Sequence, residues 1–289
     1  ETSKGEDFQE APGGKGANQA CQLALAGVRT HMLARLGADG FGRRLLAALQ
    51  AKGVDTSLVA IDADAPTGAS TVMAVAGDYA SIIAPGAAAR LSAADVERAR
   101  PVLAAADALV LQLELPVAVS DLAARMASAL GRRVVLNASP APETPAGLPR
   151  SLLEATSILI ANALEAGRLL GRPVQVATAM SDTAALAEAL GIATIVITFG
   201  AEGVAGYERD GFAFTPAYPA EVVDTVGAGD AFLGHFTAAY LAGMRLDGAL
   251  RRGAAAGALA VSRRGAYDAL PTRAEVEALL AASTEGVRP

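Results

Sequence analysis

The stretch VVDTVGAGDAF, residues 222–232, joins a short run of β-branched residues to a long apolar segment with helical spacing. This pattern predicts a strand-to-helix junction. Glycines let backbone N–H groups approach an anion, and a helix that begins there directs its positive end toward the same point. We therefore predict a phosphate-binding turn at Gly227, Ala228 and Gly229.

Asp230 lies in the middle of this predicted anion site. A carboxylate there repels phosphate unless it has a task of its own, such as taking a proton from an attacking hydroxyl. The alternative is an ordinary turn with an acidic residue that favours the dipole of the helix. The stretch taken alone fits both interpretations equally.

The bulk composition favours one large α/β domain or two small ones. The chain has 289 residues, of which 52% are hydrophobic and 19% charged, so a sizeable core is expected. A net charge of −6 without a long basic run argues against nucleic acid and anionic membranes as partners. No apolar run reaches membrane-spanning length, and the lone Cys21 cannot form an intrachain disulfide. We therefore predict a cytoplasmic protein.

Strand-like and helix-like segments alternate along the middle and the C-terminal half of the chain. Apolar strands that alternate with helices indicate a mostly parallel sheet covered on both faces. The sequence therefore predicts an α/β fold. The segments, in chain order, are strand 108–112, helix 117–130, strand 133–136, strand 158–160, helix 183–190, strand 194–198, helix 228–241 and helix 246–262.

Two strand-like segments, 67–75 and 80–84, flank a short turn and predict a hairpin. Together with the residues before Gly13 they would form a small β lid beside the α/β core. The predicted division is a core at 14–65 and 86–289 and a lid at 1–13 and 66–85.

The chain opens on polar residues, whereas an α/β sheet normally begins with a buried strand. We expect the first strand of the fold to precede Glu1.

A second glycine-rich turn, GGKGANQA at residues 13–20, precedes a predicted helix. Backbone N–H groups of Gly14 and Lys15 and the Asn18 amide converge there and suit a polyhydroxylated ligand. The spacing is not that of a Walker A loop. The alternative is a tight turn with a solvated lysine.

Polar residues also follow two of the predicted strands. Ligands bind at the carboxyl ends of parallel strands, where Glu114 is expected. Asn162 and Glu165 follow another strand and share a helix face, so they could hold water around Mg²⁺. The alternatives are a solvated Glu114, and an N-cap asparagine with a surface glutamate.

A further glycine-bearing turn, residues 198–203, follows a strand. It could bind a nucleotide or simply open a hairpin. The candidate residues for nucleotide binding are Thr198, Gly200 and Gly203.

Two of these motifs, GGKGAN at 13–18 and DTVGAGD at 224–230, resemble the two signatures of the PfkB carbohydrate-kinase family. GGKGANQA and LQLE, residues 111–114, are similar to the ribokinase branch of that family. The resemblance runs from Glu1 to about Leu280. It implies a ribokinase-like three-layer α/β/α fold with a small β lid. It also implies a homodimer through this lid, which exposed apolar hairpin residues such as Val72 and Ile82 would suit. It also implies ATP-dependent phosphorylation of a sugar hydroxyl, of D-ribose to D-ribose 5-phosphate.

The resemblance further implies a role for each motif residue. Asp230 would be the base, and the 227–229 amides would be the anion hole for the transferred phosphoryl group. The implied sugar-binding residues are Gly14, Lys15, Asn18, Glu114 and Asp230. The implied ATP-binding residues are Asn162, Thr198, Gly200, Gly203 and Gly229. The implied cation-binding groups are Glu165 for Mg²⁺, indirectly, and Asp224, Val226 and Gly265 for K⁺.

Several positions depart from the family pattern. Ala88, Ala254 and Ala269 stand where family members often carry polar residues, and Ala269 removes one possible K⁺ ligand. The sugar-gripping aspartate of the family's first strand has no counterpart in this chain. Two alternatives follow: a PfkB kinase for another sugar or a nucleoside, and a non-catalytic sugar- or nucleotide-binding protein on the same scaffold.

Overall fold

The structure is a computed structural model that describes residues 10–75, 78–144, 147–209 and 211–285. Its helices and strands, in chain order, are α1 (Lys15–Leu25), β1 (Ala34–Gly37), α2 (Gly40–Ala51), β2 (Val59–Asp62), β3 (Ala69–Val75), β4 (Asp78–Ala84), α3 (Ala93–Ala105), β5 (Ala108–Leu111), α4 (Val117–Ala129), β6 (Arg133–Asn137), α5 (Arg150–Ala155), β7 (Ile158–Asn162), α6 (Ala163–Leu170), α7 (Ala179–Leu190), β8 (Thr194–Thr198), β9 (Val204–Glu208), β10 (Gly211–Thr215), α8 (Ala228–Leu241), α9 (Leu246–Val261) and α10 (Arg273–Glu285).

Within the described residues, six strands form the central sheet in the order β10-β9-β8-β7-β6-β5. Strands β5 to β8 are parallel, whereas β9 and β10 run antiparallel at one edge. The register pairs Asn162 at the end of β7 with Thr198 at the end of β8. The predicted mostly parallel sheet is confirmed, and its carboxyl edge collects the polar residues that end each strand.

Side chains of successive strand residues point to opposite faces of the sheet, and both faces are covered. Leu136 and Ile195 pack with helices α4 to α7 in one buried cluster. Val135 and Val196 pack on the other face with α8 and α9, including Phe236. Burial of each such side chain stabilises the fold by about 1.5–3 kcal/mol. The result is the predicted three-layer α/β/α arrangement.

Helix α1 packs directly on α8 and thereby brings together two segments that lie far apart in the sequence. Ala17 and Cys21 of α1 share a buried cluster with Ala231 of α8. At Gly234, an added Cβ would lie 2.3 Å from Cγ of Gln22. Only glycine therefore allows the two helices to approach this closely.

Strands β3 and β4 form an antiparallel hairpin in which Ala69 pairs with Ala84. The two ends of the hairpin meet where Ala87 N donates to the Pro66 carbonyl at 2.7 Å. Ile82 is 65% exposed, whereas the side chain of Val72 lies outside the described part of the chain. Residues 1–9 of the predicted lid also lie outside it, so the division into core and lid stays a prediction.

The predicted strand before Gly227 is wrong. The N–H groups of Val223 and Asp224 both donate to the carbonyl of Val261, at 2.8 and 3.1 Å. Carbonyls in the last turn of a helix lack partners within the helix. The Val261 carbonyl at the end of α9 therefore accepts from the N–H groups that would pair with a neighbouring strand if this segment were a strand. The segment is irregular, and the Val222 and Val226 side chains are exposed.

No helix in the described ranges is both long and apolar enough to cross a membrane.

Asp39 joins the start of α2 to the root of the hairpin. Its carboxylate accepts hydrogen bonds from Gly42 N, Thr67 N and Thr67 Oγ1, at 2.7 to 2.8 Å. These donors, Gly42 N first, lower the pKa of Asp39 from 3.8 to about 2. Because the pKa is lowered on folding, the stabilisation is fully present above the ordinary pKa and is lost as the pH falls through about 2.

We predict that Asp39→Ala lowers the thermal midpoint at neutral pH by several degrees and reduces the loss of stability on acidification from about pH 4 to about pH 2. Thermal unfolding followed by circular dichroism across this range measures both effects. The matched control is Asp64→Ala, which removes an exposed carboxylate from the same region. Equal midpoints for the two variants would contradict the prediction.

Candidate active site

Asp230 lies in the first turn of α8 and is held from α1. Its Oδ2 accepts a hydrogen bond from Asn18 Nδ2 at 2.9 Å, and its Oδ1 accepts one from Gln19 Nε2 at 2.8 Å. The residue is 8% exposed. A buried carboxylate needs such donors, because loss of hydration strongly disfavours the charge. The two glycine-rich turns of the sequence therefore form one site.

Burial raises the pKa of Asp230 above its ordinary value, while the hydrogen bonds from Asn18 and Gln19 and the charge of Lys15 oppose the shift. A carboxylate with a raised pKa is a stronger base once ionised. The environment therefore suits Asp230 for proton abstraction.

The glycine-rich turn at 13–20 places Lys15 beside this carboxylate, and Glu114 approaches it from the end of β5. Gly14, with φ of +96°, caps α1, and Lys15 N donates to Glu114 Oε2 at 3.1 Å. Burial raises the pKa of Glu114, Lys15 opposes the shift, and the negative charge of Asp230 adds to it. Asn18 Oδ1 is buried without a hydrogen-bond partner within the described residues, so the Asn18 amide has an unused acceptor. This cluster offers both donors and acceptors to a polyol.

Three amide side chains extend the site behind Asp230. Gln19 Nε2 donates to Asn137 Oδ1 at 3.0 Å as well as to Asp230, and Gln112 Nε2 donates to Gln19 Oε1 at 2.5 Å. Sequence reasoning did not assign Gln19 or Asn137 to the site. Asn137 ends an apolar strand, as Asn162 does, and the same strand-end rule could have found it.

The start of α8 has the geometry of an anion-binding turn. Gly227 has φ of +84°, and an added Cβ would lie 2.8 Å from Cα of Ala266. The helical pattern of hydrogen bonds begins with Ala231 N, which donates to Gly227 O at 2.9 Å. Ala228 N makes only a long hydrogen bond, of 3.4 Å, to the Thr225 carbonyl. First-turn N–H groups of this kind are available to an anion. Gly229 is exposed, and a Cβ there would meet nothing within 4 Å.

Asp224 ties this turn to the loop after α9. Its Oδ1 accepts from Val226 N at 3.0 Å, and its Oδ2 accepts from Gly265 N at 2.9 Å. The structure thus brings together the three residues predicted for K⁺. Ala269 is fully buried and offers no side-chain oxygen to them.

A cavity of about 570 Å³ opens at the carboxyl ends of β7 and β8. Asn162, Thr198 and Gly200 line it, as expected for neighbouring strand ends. Gly203 is absent from the lining: it is buried, and an added Cβ would lie 2.4 Å from the Thr215 carbonyl. The turn at 198–203 also connects β8 to the antiparallel β9, so it does open a hairpin.

Asn162 and Glu165 form a reciprocal cap at the start of α6. Asn162 Oδ1 accepts from Glu165 N, and Glu165 Oε2 accepts from Asn162 N, at 2.8 and 2.9 Å. Asn162 is therefore an N-cap, but Glu165 is buried rather than on the surface. In the described part of the chain, no cluster of three or more acidic, histidine or cysteine side chains could hold a metal. One carboxylate fits Mg²⁺ that keeps its waters and binds mainly to phosphate oxygens.

Comparison with known proteins places this site in a family. A family model described as pfkB family carbohydrate kinase matches residues 1–273. The chain belongs to the pfkB family of carbohydrate kinases. The predicted resemblance and the predicted sugar-kinase class are thereby confirmed.

Relatives and solved structures narrow the comparison further. The ribokinase of Haemophilus influenzae is 34% identical over 276 residues, covering 95% of this chain and 89% of that protein. The ribokinase of Bacillus subtilis is 32% identical over 282 residues, covering 97% and 91%. A structure of Arabidopsis thaliana ribokinase complexed with ribose and ATP has a TM-score of 0.86 and 31% identity, covering 97% of this chain and 91% of that one. The ribokinase-like fold is confirmed.

Gly229 and Gly227 form a matched pair for testing the anion turn. We predict that Gly229→Ala keeps the thermal midpoint of the wild type, because a Cβ there meets no neighbouring atom. It should lower kcat at least tenfold, because a methyl group at this exposed first-turn position would crowd an anion bound to the first-turn amides. Gly227→Ala, in contrast, should lower the midpoint, because it strains a positive φ and overlaps Ala266.

Calorimetry and ATP-coupled turnover measure the two properties separately. Wild-type turnover by Gly229→Ala would show that this surface of the turn does not face the transferred phosphoryl group.

Proposed function

We propose that this family member transfers the γ-phosphoryl group of ATP to the 5-hydroxyl of D-ribose, giving D-ribose 5-phosphate. The observation that carries the proposal is the pair of hydrogen bonds from Asn18 and Gln19 to Asp230. These bonds join the glycine-rich turn at 13–20 to the anion-binding turn at 227–229. Similarity to ribokinases, one of them solved with ribose and ATP, supports the choice of substrates.

Asp230 is the base in this proposal. It accepts the proton of the sugar hydroxyl as the hydroxyl oxygen bonds to the γ-phosphorus and the bond from that phosphorus to the β–γ bridging oxygen breaks. The first-turn amides at 227–229 stabilise the charge that grows on the transferred group. The remaining sugar hydroxyls are held by Gly14, Lys15, Asn18 and Glu114.

The nucleotide is proposed to bind at the carboxyl ends of β7 and β8. Asn162, Thr198 and Gly200 line the cavity there, and Gly229 faces open space at the anion turn. Gly203 accepts a hydrogen bond from Phe199 N and thereby holds the turn at 198–203 in the shape that the nucleotide would contact. Glu165 would help to hold the Mg²⁺ that binds with ATP, and this cation would supply positive charge to the phosphate oxygens.

Replacement of Asp230 tests the proposal directly. Asp230→Asn should lower kcat by roughly a hundred- to ten-thousand-fold, because it removes a general base, while ribose binding persists. Asn18 can reverse its amide toward the introduced amide group, since Asn18 Oδ1 has no partner. The matched control is Asp247→Asn, an exposed first-turn residue of α9.

Coupled ATP turnover gives kcat, and isothermal calorimetry gives ribose affinity. Near-wild-type turnover in Asp230→Asn would remove this residue from the role of base.

The choice of acceptor needs a panel of sugars. Ribose, 2-deoxyribose, fructose and adenosine are compared by ATP turnover with the full chain. Ribose turnover no higher than buffer, with another acceptor active, would favour the alternative of a kinase for another sugar or a nucleoside. Tight ligand binding without any ATP consumption would favour a non-catalytic binding protein.

We also propose a K⁺ site formed by Asp224, the Val226 carbonyl and the loop at Gly265. Oxygen ligands suit hard cations, and the Asp224 carboxylate already draws the two segments together. Ala269 leaves the site one side-chain ligand fewer.

We predict that K⁺ raises turnover severalfold over tetramethylammonium at equal ionic strength, because the cation fixes the turn that carries the anion hole. Asp224→Ala should lose this response, whereas the control Asp268→Ala, an exposed residue of the same loop, should keep it. Turnover that does not depend on K⁺ would show that no such activation occurs.

Two further proposals concern the state of the protein. The exposed Ile82 and Ile83 of the hairpin support a homodimer formed through this element. The single cysteine, Cys21, is the feature that motivates a cytoplasmic location.

A further inference from the structure

Gln19 is a buried residue whose amide makes contacts in three directions. It is 1% exposed. Its Nε2 donates to Asp230 Oδ1 and Asn137 Oδ1, and its Oε1 accepts from Gln112 Nε2. Both protons of the amide and one acceptor position are therefore used, and Asp230 is the one of these three partners that belongs to the proposed sugar-binding set.

The backbone determines which way the Gln19 amide faces. Asn137 Nδ2 donates to the carbonyl of Ile160 at 3.2 Å, and a carbonyl cannot act as a donor. Asn137 must therefore present Oδ1 to Gln19, and Gln19 must present its NH₂ group to Asn137 and Asp230. Gln112 completes the chain by donating to the opposite side of the Gln19 amide.

The other donor to Asp230 is not fixed in this way. Asn18 Nδ2 bonds to Asp230 Oδ2, but Asn18 Oδ1 is buried without a partner in the described ranges. Asn18 can therefore reverse and accept a hydrogen bond from a protonated Oδ2, whereas Gln19 can only donate to Oδ1. The two oxygens of Asp230 differ in what they can do.

We propose that Gln19 is a positioning residue for the base: it holds Asp230 Oδ1 as a permanent acceptor and leaves Oδ2 as the oxygen that takes the proton of the sugar hydroxyl. The orientation comes from the Ile160 carbonyl through Asn137. This inference rests on the proposed function for the role of Asp230 as base. The proton moves from the hydroxyl oxygen to Oδ2, and Asn18 reverses its amide so that Asn18 Oδ1 accepts a hydrogen bond from the protonated Oδ2.

The charges around Asp230 bear on any test by pH. Lys15 of α1 favours its ionised form, and Glu114 after β5 carries a like charge that couples to it. The elements packed against α8 carry further titratable or charged groups. Burial raises the pKa of the Cys21 thiol on α1, and Tyr240 contacts Thr194 Oγ1. Asp224 accepts from Val226 N and Gly265 N, and His235 contacts the Pro271 carbonyl. Arg252 pairs with Glu277, Arg263 pairs with Glu275, and Arg251 is exposed.

Gln19→Met tests the inference, because it keeps the length of the side chain and removes its donor. A hydrogen bond to a charged group is worth enough to move the pKa of Asp230 upward by about one unit when it is lost. The acid limb of the pH profile of kcat/KM should move to higher pH by the same amount. The value of kcat should fall roughly tenfold, and the KM for ribose should change little. Asn137→Ala should shift the pKa in the same direction by less, since Gln19 is then free to reverse.

The matched control is Gln22→Met, one turn further along α1. Gln22 is also fully buried and donates to the Pro271 carbonyl, away from Asp230. Gln22→Met should lower stability as Gln19→Met does, but the acid limb of its pH profile should lie at the same pH as in the wild type. An unshifted limb in Gln19→Met, or an equal shift in Gln22→Met, would overturn the inference.

A second measurement needs no turnover. Protein labelled with ¹³C at the aspartate carboxyl carbon is titrated by NMR, and Asp230→Asn assigns the signal. A raised carboxyl pKa in Gln19→Met but not in Gln22→Met supports the inference, and equal values overturn it. Absence of wild-type turnover with ribose would count against the proposed function alone, because the carboxyl titration is read independently of substrate.

Discussion

The buried carboxylate of Asp230 imposes the constraint on which the rest of the site depends. A charge removed from water must be compensated by nearby donors, or the group becomes neutral. The two side-chain donors come from Asn18 and Gln19, more than 200 positions away in the sequence. Because these bonds need α1 and α8 in direct contact, the close approach at Gly234 is as necessary to the site as the polar groups are.

The parallel sheet explains why the other polar groups meet at the same place. The carboxyl ends of β5, β6, β7 and β8 lie along one edge, which carries Gln112, Asn137, Asn162 and Thr198. The backbone at this edge also orients side chains, as the Ile160 carbonyl does for Asn137. The fold therefore supplies both the location of the site and the direction of its hydrogen bonds.

Local sequence patterns predicted the parts of this molecule that local physics determines. The strand at 194–198 and the helix at 228–241 were predicted with the bounds that the structure has, because long apolar periodicity reports burial directly. The prediction of a strand before Gly227 was wrong, because the N–H groups of Val223 and Asp224 donate to the Val261 carbonyl at the end of α9. The strand-end position of Asn137 could have been predicted, but the hydrogen bonds of Gln19 and Asn137 could not, because they depend on which side chains of distant elements face them.

The electrostatic arrangement assigns one chemistry to each side of the site. Asp230 and Glu114 are acceptors, both with pKa values raised by burial, and hydroxyl groups of a neutral sugar can donate to them. A phosphate group, which at neutral pH has acceptors but few protons, would be repelled there. The first-turn amides of α8 offer only donors and suit that phosphate instead. Because Asp230 belongs to the same helical turn as those amides, a hydroxyl held at its carboxylate and a phosphoryl group held at the amides would lie next to each other, as direct transfer between them requires.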